Sequence, residues 1–222
     1  MKNYQNFMMF FTFFLFWFSI QFGEFVEDSV AFVLIVSLGI LHGANDLLIL
    51  AKGKNSKNFF LKNLLVYLTI IIACVLTYLF SSFVAILLFI LLSSYHFGEE
   101  HLGDKIKVNR FFNFIFYLSY GIFLFSILFY VSLAAVNEIM QELTGIIFTE
   151  AQIANTFSIS LSVLLILSIY LYVTKKTPIS VLFKEFFYLC LLSLVFKTSS
   201  LILGFAIYFI FWHSIPSLLN QV

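Results

Sequence analysis

Three of the four histidines in this 222-residue chain lie in or at the edge of apolar segments long enough to cross a bilayer, each within a small polar cluster. His42 stands in Leu41-His42-Gly43-Ala44-Asn45-Asp46, His96 in Tyr95-His96-Phe97-Gly98-Glu99-Glu100-His101, and His213 in Trp212-His213-Ser214. Ionisable groups at membrane depth are expensive, so they read first as functional. Histidine is also the commonest metal ligand. The chemistry these residues suggest is a metal centre inside a membrane protein. Asp46 follows His42 by four residues and Glu100 follows His96 by four, so each carboxylate shares a helical face with its histidine. A ligating imidazole usually donates its other N–H to a carboxylate or carbonyl. Asp46 and Glu100 suit that task, and each is also a candidate ligand. Gly39-x-x-x-Gly43 brackets His42 with small residues that let helices approach closely in lipid.

Plainer readings stand beside these. A single intramembrane histidine also serves as a hydrogen-bond partner across a helix interface, and Gly39 and Gly43 serve packing. His101 sits beside Gly103-Asp104-Lys105, where a solvated loop histidine competes with a ligand, and Glu99 reads as the end of its helix. Counting removes other chemistries: the chain has no Cys/His zinc spacing, no phosphate-binding loop and no G-x-S-x-G nucleophile turn. Four histidines are too few for a di-iron oxygenase with clustered histidine boxes. A single metal held by three or four neutral ligands remains, and imidazole suits iron, copper, zinc and nickel alike.

The elements that must position these residues are membrane helices. Hydrophobic residues make up 62% of the chain and charged residues 10%, far from the soluble norm of about a quarter charged. A net charge of +1 without a clustered basic face excludes a nucleic-acid partner. Cys74 and Cys190 both fall in apolar segments and are expected to be buried free thiols. A span needs roughly 20 apolar residues. Eight segments approach this: Phe7 to Phe22, Ser29 to Ala51, Phe59 to Phe80, Phe83 to Gly98, Phe111 to Val136, Ala154 to Thr174, Ile179 to Phe196 and Leu201 to Leu219. The expected fold is therefore all-α, a polytopic bundle of about eight transmembrane helices in a single domain over residues 1–222.

Basic residues orient the bundle. With a cytoplasmic N-terminus, the inner side carries Lys2, Lys52, Lys54, Lys57, Lys62, Lys105, Lys107, Arg110, Lys175, Lys176 and Lys184, leaving Lys197 alone outside. Both termini are then expected on the cytoplasmic side of the cell membrane. The second, fourth and eighth segments run in the same direction and carry the three histidine clusters in one leaflet. Pro178 suits the first turn of the seventh helix with Thr177 as its cap, and Pro216 interrupts the eighth, freeing a backbone carbonyl one turn earlier.

The three clusters together resemble one family. His42-Gly43-Ala44-Asn45-Asp46 is similar to its H-G-x-x-D signature, Ser94-Tyr95-His96-Phe97-Gly98 to its S-x-Y-H-F-G signature, and Phe211-Trp212-His213-Ser214 to its late W-H-S signature. These are the membrane-bound β-carotene dioxygenases called Brp/Blh. The resemblance implies an all-helical enzyme that uses Fe(2+) and O₂ to cut β-carotene, or a related carotenoid taken from the lipid bilayer, at its central double bond. Two molecules of retinal result, with a retinal-binding protein as a candidate recipient. It assigns iron ligation to His42, His96 and His213; His101 is the one spare histidine and so a candidate fourth ligand, and Asp46, Glu100 and Ser217 are the candidate supporting residues around the metal. Ser217 stands where family members often carry another histidine. The chain also stops soon after the eighth segment, where relatives extend further, so a short or incomplete member is expected. No protein nucleophile or general base is required beyond the metal centre. The rival readings are a transporter or a retinal or lipid carrier using an intramembrane His/carboxylate site, and a metal-free remnant of the family.

Overall fold

The computed structural model describes residues 2–39, 57–106 and 108–220, which form helices and turns with no strand among them. His42, Gly43, Asn45 and Asp46 lie outside the described residues. Helix α1 (Lys2–Gln21) is followed by α2 (Glu24–Leu34), which widens into π-type turns over Ile35–Gly39. Then come α3 (Lys57–Phe80), α4 (Ser82–Leu102), α5 (Arg110–Val131), α6 (Leu133–Thr144), α7 (Glu150–Val173) and α8 (Ile179–Thr198). The last long helix has three parts: α9 (Leu201–Ile207), a π-type stretch (Tyr208–Ser214) and α10 (Ile215–Asn220).

Among the described residues five helices are long and apolar enough to cross a membrane: Ser82–Leu102, Arg110–Val131, Glu150–Val173, Ile179–Thr198 and Leu201–Leu219. Phe7–Gln21 and Leu64–Phe80 are apolar but shorter, and the second half of the expected Ser29 to Ala51 segment lies outside the described residues. The chain is a helical membrane protein.

Local sequence sets most boundaries. Ser81, Asn109, Thr149 and Ser200 each accept a hydrogen bond from a first-turn N–H of the helix they precede. Thr149 and Gln152 complete a reciprocal capping box. The fifth expected segment stops at Val131 rather than Val136, and the amphipathic α6 follows until Gly145 ends it at φ 72°. The fourth runs on to Leu102, so His101 is helical and not a loop residue. Thr177 does not cap α8, because the helix starts after an extended Pro178 and the buried Thr177 hydroxyl has no partner among the described residues. Cys74 and Cys190 are free, as expected, but exposed rather than buried. In a membrane protein an apolar face turned outward meets lipid, and periodicity alone does not say which face of an all-apolar helix turns inward.

Helices α5 and α9 with its extension form the centre, each more than half buried, whereas less than a fifth of α4 and α7 is buried. Contacts at both ends fix α2 with its π-type extension beside the last long helix and parallel to it. At one end Glu27 accepts the Ser200 N–H at 2.5 Å and Asp28 the Ser200 hydroxyl at 2.5 Å; at the other Gly39 lies against the Phe209 ring. Burial and the neighbouring Asp28 and Glu24 charges push the Glu27 carboxyl up, against the opposing pull of the Ser200 N–H. Helix α4 also runs parallel to α9, since Phe97 meets Tyr208 and His101, four residues on, meets Trp212, again four on. The expectation that the second, fourth and eighth segments share one direction holds for these helices.

Candidate metal centre

His96 owes its placement to a backbone crossing. A Cβ added at Gly98 would lie 2.0 Å from the Tyr117 carbonyl oxygen, and one at Gly121 would lie 2.0 Å from that of Ser94. Helices α4 and α5 therefore touch main chain to main chain, antiparallel, through residues spaced four apart on each. This is the small-residue packing that lipid favours. It turns Ser94 and Gly98 toward α5 and leaves His96 for another neighbour.

That neighbour is His213. The two ring centroids are 4.8 Å apart with planes at 77°. His213 is 2% exposed, flanked by Phe97 at 4.6 Å and by Phe209 at 5.9 Å, while His96 remains exposed on its helix. The backbone beneath His213 is the π-type stretch, in which the Ile215 N–H bonds to the carbonyl five residues back at Ile210. Such wide turns inside α-helices occur frequently at functional sites. Here the stretch includes Phe209, whose ring a Cβ on Gly39 would meet at 3.1 Å.

His101 belongs to a different group. Its Nε2 lies 2.6 Å from Glu185 Oε2 and 3.3 Å from Lys105 Nζ, and Lys105 donates to Glu185 Oε1 at 2.9 Å. The His101 ring stacks on Tyr120 at 5.2 Å. Its side chain is 8% exposed, so the solvated reading does not hold. The cluster borders a cavity of about 370 Å³ lined by Tyr4, Glu100, His101, Asp104, Trp212 and Pro216 among others. Glu100 is thus at the cavity wall, Ser217 is buried, and Glu99 accepts the Tyr95 hydroxyl at 2.7 Å. Among the described residues no three His, Cys, Asp or Glu side chains gather as a metal-binding group. The structure brings His96 to His213, sets His101 with Glu185, and leaves His42 and Asp46 undescribed.

A family model described as beta-carotene 15,15'-dioxygenase matches residues 33–222. The chain belongs to the beta-carotene 15,15'-dioxygenase family. No curated protein and no solved structure matches it. The family's match includes all four histidines and Glu185, and it leaves out α1 and most of α2. The family name points to carotenoid oxygenase chemistry in this membrane protein.

Sequence reasoning missed Glu185. The signal was there, since an acid inside an apolar segment is as costly as a histidine, but its partner is 84 residues away. It also missed Tyr4 and Thr12, which approach the His213 segment from α1 and carry no motif.

Proposed function

We propose that this chain is a non-haem iron dioxygenase that cleaves β-carotene at its central double bond to give two molecules of retinal. The observation that carries the reading is the meeting of His96 and His213, from separate helices, inside the family-matched region. With metal–nitrogen bonds of about 2.0–2.1 Å, two imidazoles on one ion have centroids about 4.5–5.2 Å apart, the range in which this pair falls. His42 suits the third position by chain reach: three residues span at most about 11 Å, and Gly39 already lies beside Phe209, four residues before His213.

The residues fit Fe(2+). His42, His96 and His213 would hold it as neutral donors, with Asp46 or Glu100 orienting an imidazole and balancing charge. His101 is left out of this set because its Nε2 faces Glu185 and Lys105. Ferrous iron, when bound, supplies the activation of O₂ that amino-acid side chains lack. The chain's own part is to hold and to exclude. Phe97 and Phe209 flank the His213 ring and keep water from it. The buried hydroxyls of Tyr208 and Ser214 have no partner among the described residues and lie on the helix that carries His213, so they can donate to an oxygen-bearing ligand. Buried polar atoms of that kind call for an explanation. Each atom of O₂ ends in one aldehyde, so the cleavage draws on no external reductant and no protein base.

The test is expression in carotene-producing cells supplied with iron and oxygen. β-Carotene should fall and retinal rise, and His42→Ala, His96→Ala or His213→Ala should abolish both changes. Asp46→Asn should lower turnover about 10- to 100-fold if its carboxylate orients a ligand. Folded protein that binds iron and yields no apocarotenal would refute the assignment, and folded protein that binds no metal would favour a carrier or a metal-free remnant of the family.

A further inference from the structure

Pro216 removes one amide proton from the helix that carries His213, and the structure shows what replaces it. In the wide turns before it, Ile215 bonds to the carbonyl five residues back, at Ile210. The next carbonyl in that ladder is Phe211, and its partner by the same count would be residue 216, where proline has no N–H to give. The hydroxyl of Tyr4 donates to the Phe211 carbonyl instead. Tyr4 sits near the start of α1, 207 residues away in sequence, at the wall of the cavity that Pro216 also lines. A second contact follows two turns along α1: Trp212 Nε1 donates to Thr12 Oγ1 at 3.0 Å, with both residues buried. The Phe11 and Phe211 rings stack between them at 5.4 Å. The two residues immediately before His213 are therefore both held by α1, a helix outside the family-matched region.

We propose that the Tyr4 hydroxyl stands in for the amide proton missing at Pro216, and that α1 thereby positions the backbone from which His213 projects. Tyr4 is a positioning residue: it acts through the Phe211 carbonyl. The link to metal binding rests on the three-histidine reading above, whereas the hydrogen-bond replacement does not.

The two parts are tested separately with the full-length protein in detergent, using Tyr4→Phe, Pro216→Ala and the double variant. Thermal unfolding under chelator reads the hydrogen bond without any metal. Tyr4→Phe should lower the midpoint in the native background and have a much smaller effect beside Pro216→Ala, whose restored amide supplies the Phe211 carbonyl from within the helix. Thr12→Val is the control and should cost the same in both backgrounds, because Pro216 has no part in its bond. Equal losses for Tyr4→Phe in the two backgrounds would overturn the replacement. Cobalt(II) titration, followed by visible absorption, reads the consequence for His213. Affinity should fall about 10-fold or more in Tyr4→Phe, as for loss of a partner that orients a ligand, and should recover in the double variant. Unchanged affinity in Tyr4→Phe, with the wild type binding cobalt, would overturn the positioning role. A wild type that binds no cobalt while the melting cycle shows coupling would sink the metal reading and support the replacement.

Discussion

His101 and Lys105 converge on the Glu185 carboxylate, whose side chain is only 10% exposed. A buried ion pair is weak evidence for net stability, but removing one partner leaves the others uncompensated. Glu185→Ala should therefore destabilise the protein by about 3–5 kcal/mol, while Glu185→Gln, which keeps an acceptor oxygen, should cost less. Unfolding in detergent measures both, and a change within about 0.5 kcal/mol for the alanine variant would mean that the cluster carries no such load. At this scale the sequence was half legible. His96 and His213 stood out because each interrupts an apolar run, and the structure brings them together. The partner of His101 did not stand out, because a histidine next to Gly103-Asp104-Lys105 looks solvated until α4 is seen to continue through it and α8 to cover it. His42 and Asp46 keep the status their spacing gave them.

At the scale of elements, the α4–α5 crossing decides where His96 can go. A methyl group at Gly98 or Gly121 would collide with the facing main chain at 2.0 Å, and neither contact is with a flexible side-chain end. Gly98→Ala and Gly121→Ala should each cost at least the roughly 1–3 kcal/mol typical of overpacking, and Gly98→Ala should also weaken metal binding because the helix must back away from α5. A stable Gly98→Ala protein with unchanged metal affinity would contradict this account of the crossing. The S-x-Y-H-F-G signature was visible in sequence as a motif, but its division of labour was not. Ser94 and Gly98 serve backbone packing, and His96 and Phe97 serve the site. The caps at Ser81, Asn109, Thr149 and Ser200 came from the structure, and the one cap read from the sequence was Thr177. Thr177 failed because the adjacent proline shifted the helix start.

At the scale of the whole molecule, hydropathy found an all-helical membrane protein, and five of its eight expected spans appear among the described residues as helices long and apolar enough to cross a membrane. Direction was recoverable, since lysine asymmetry predicted that three segments run together, and α2, α4 and α9 do. Burial was not recoverable, since an all-apolar helix gives no sign of which stripe meets lipid, and so Cys74 and Cys190 were expected inside. Orientation in the membrane is open to direct measurement. Reporter fusions after Lys57, Glu142 and Lys176 should report cytoplasmic, external and cytoplasmic positions, and an external signal at Lys57 would reverse the topology. The π-type stretch Tyr208–Ser214 bears on ancestry as much as on shape. A wide turn closes on the fifth residue where an α-turn closes on the fourth, and each residue of an α-helix advances the next by about 100°. Deleting one residue there would let the turn close on the fourth residue and leave the rest of the helix in phase, but the carbonyl orphaned by Pro216 would move about that angle around the helix, to the residue four before the proline, and Tyr4 would no longer face it. Divergence at this point is thus expected to proceed by whole-residue insertion and deletion, and descendants that lost the extra residue would need a different anchor from their first helix.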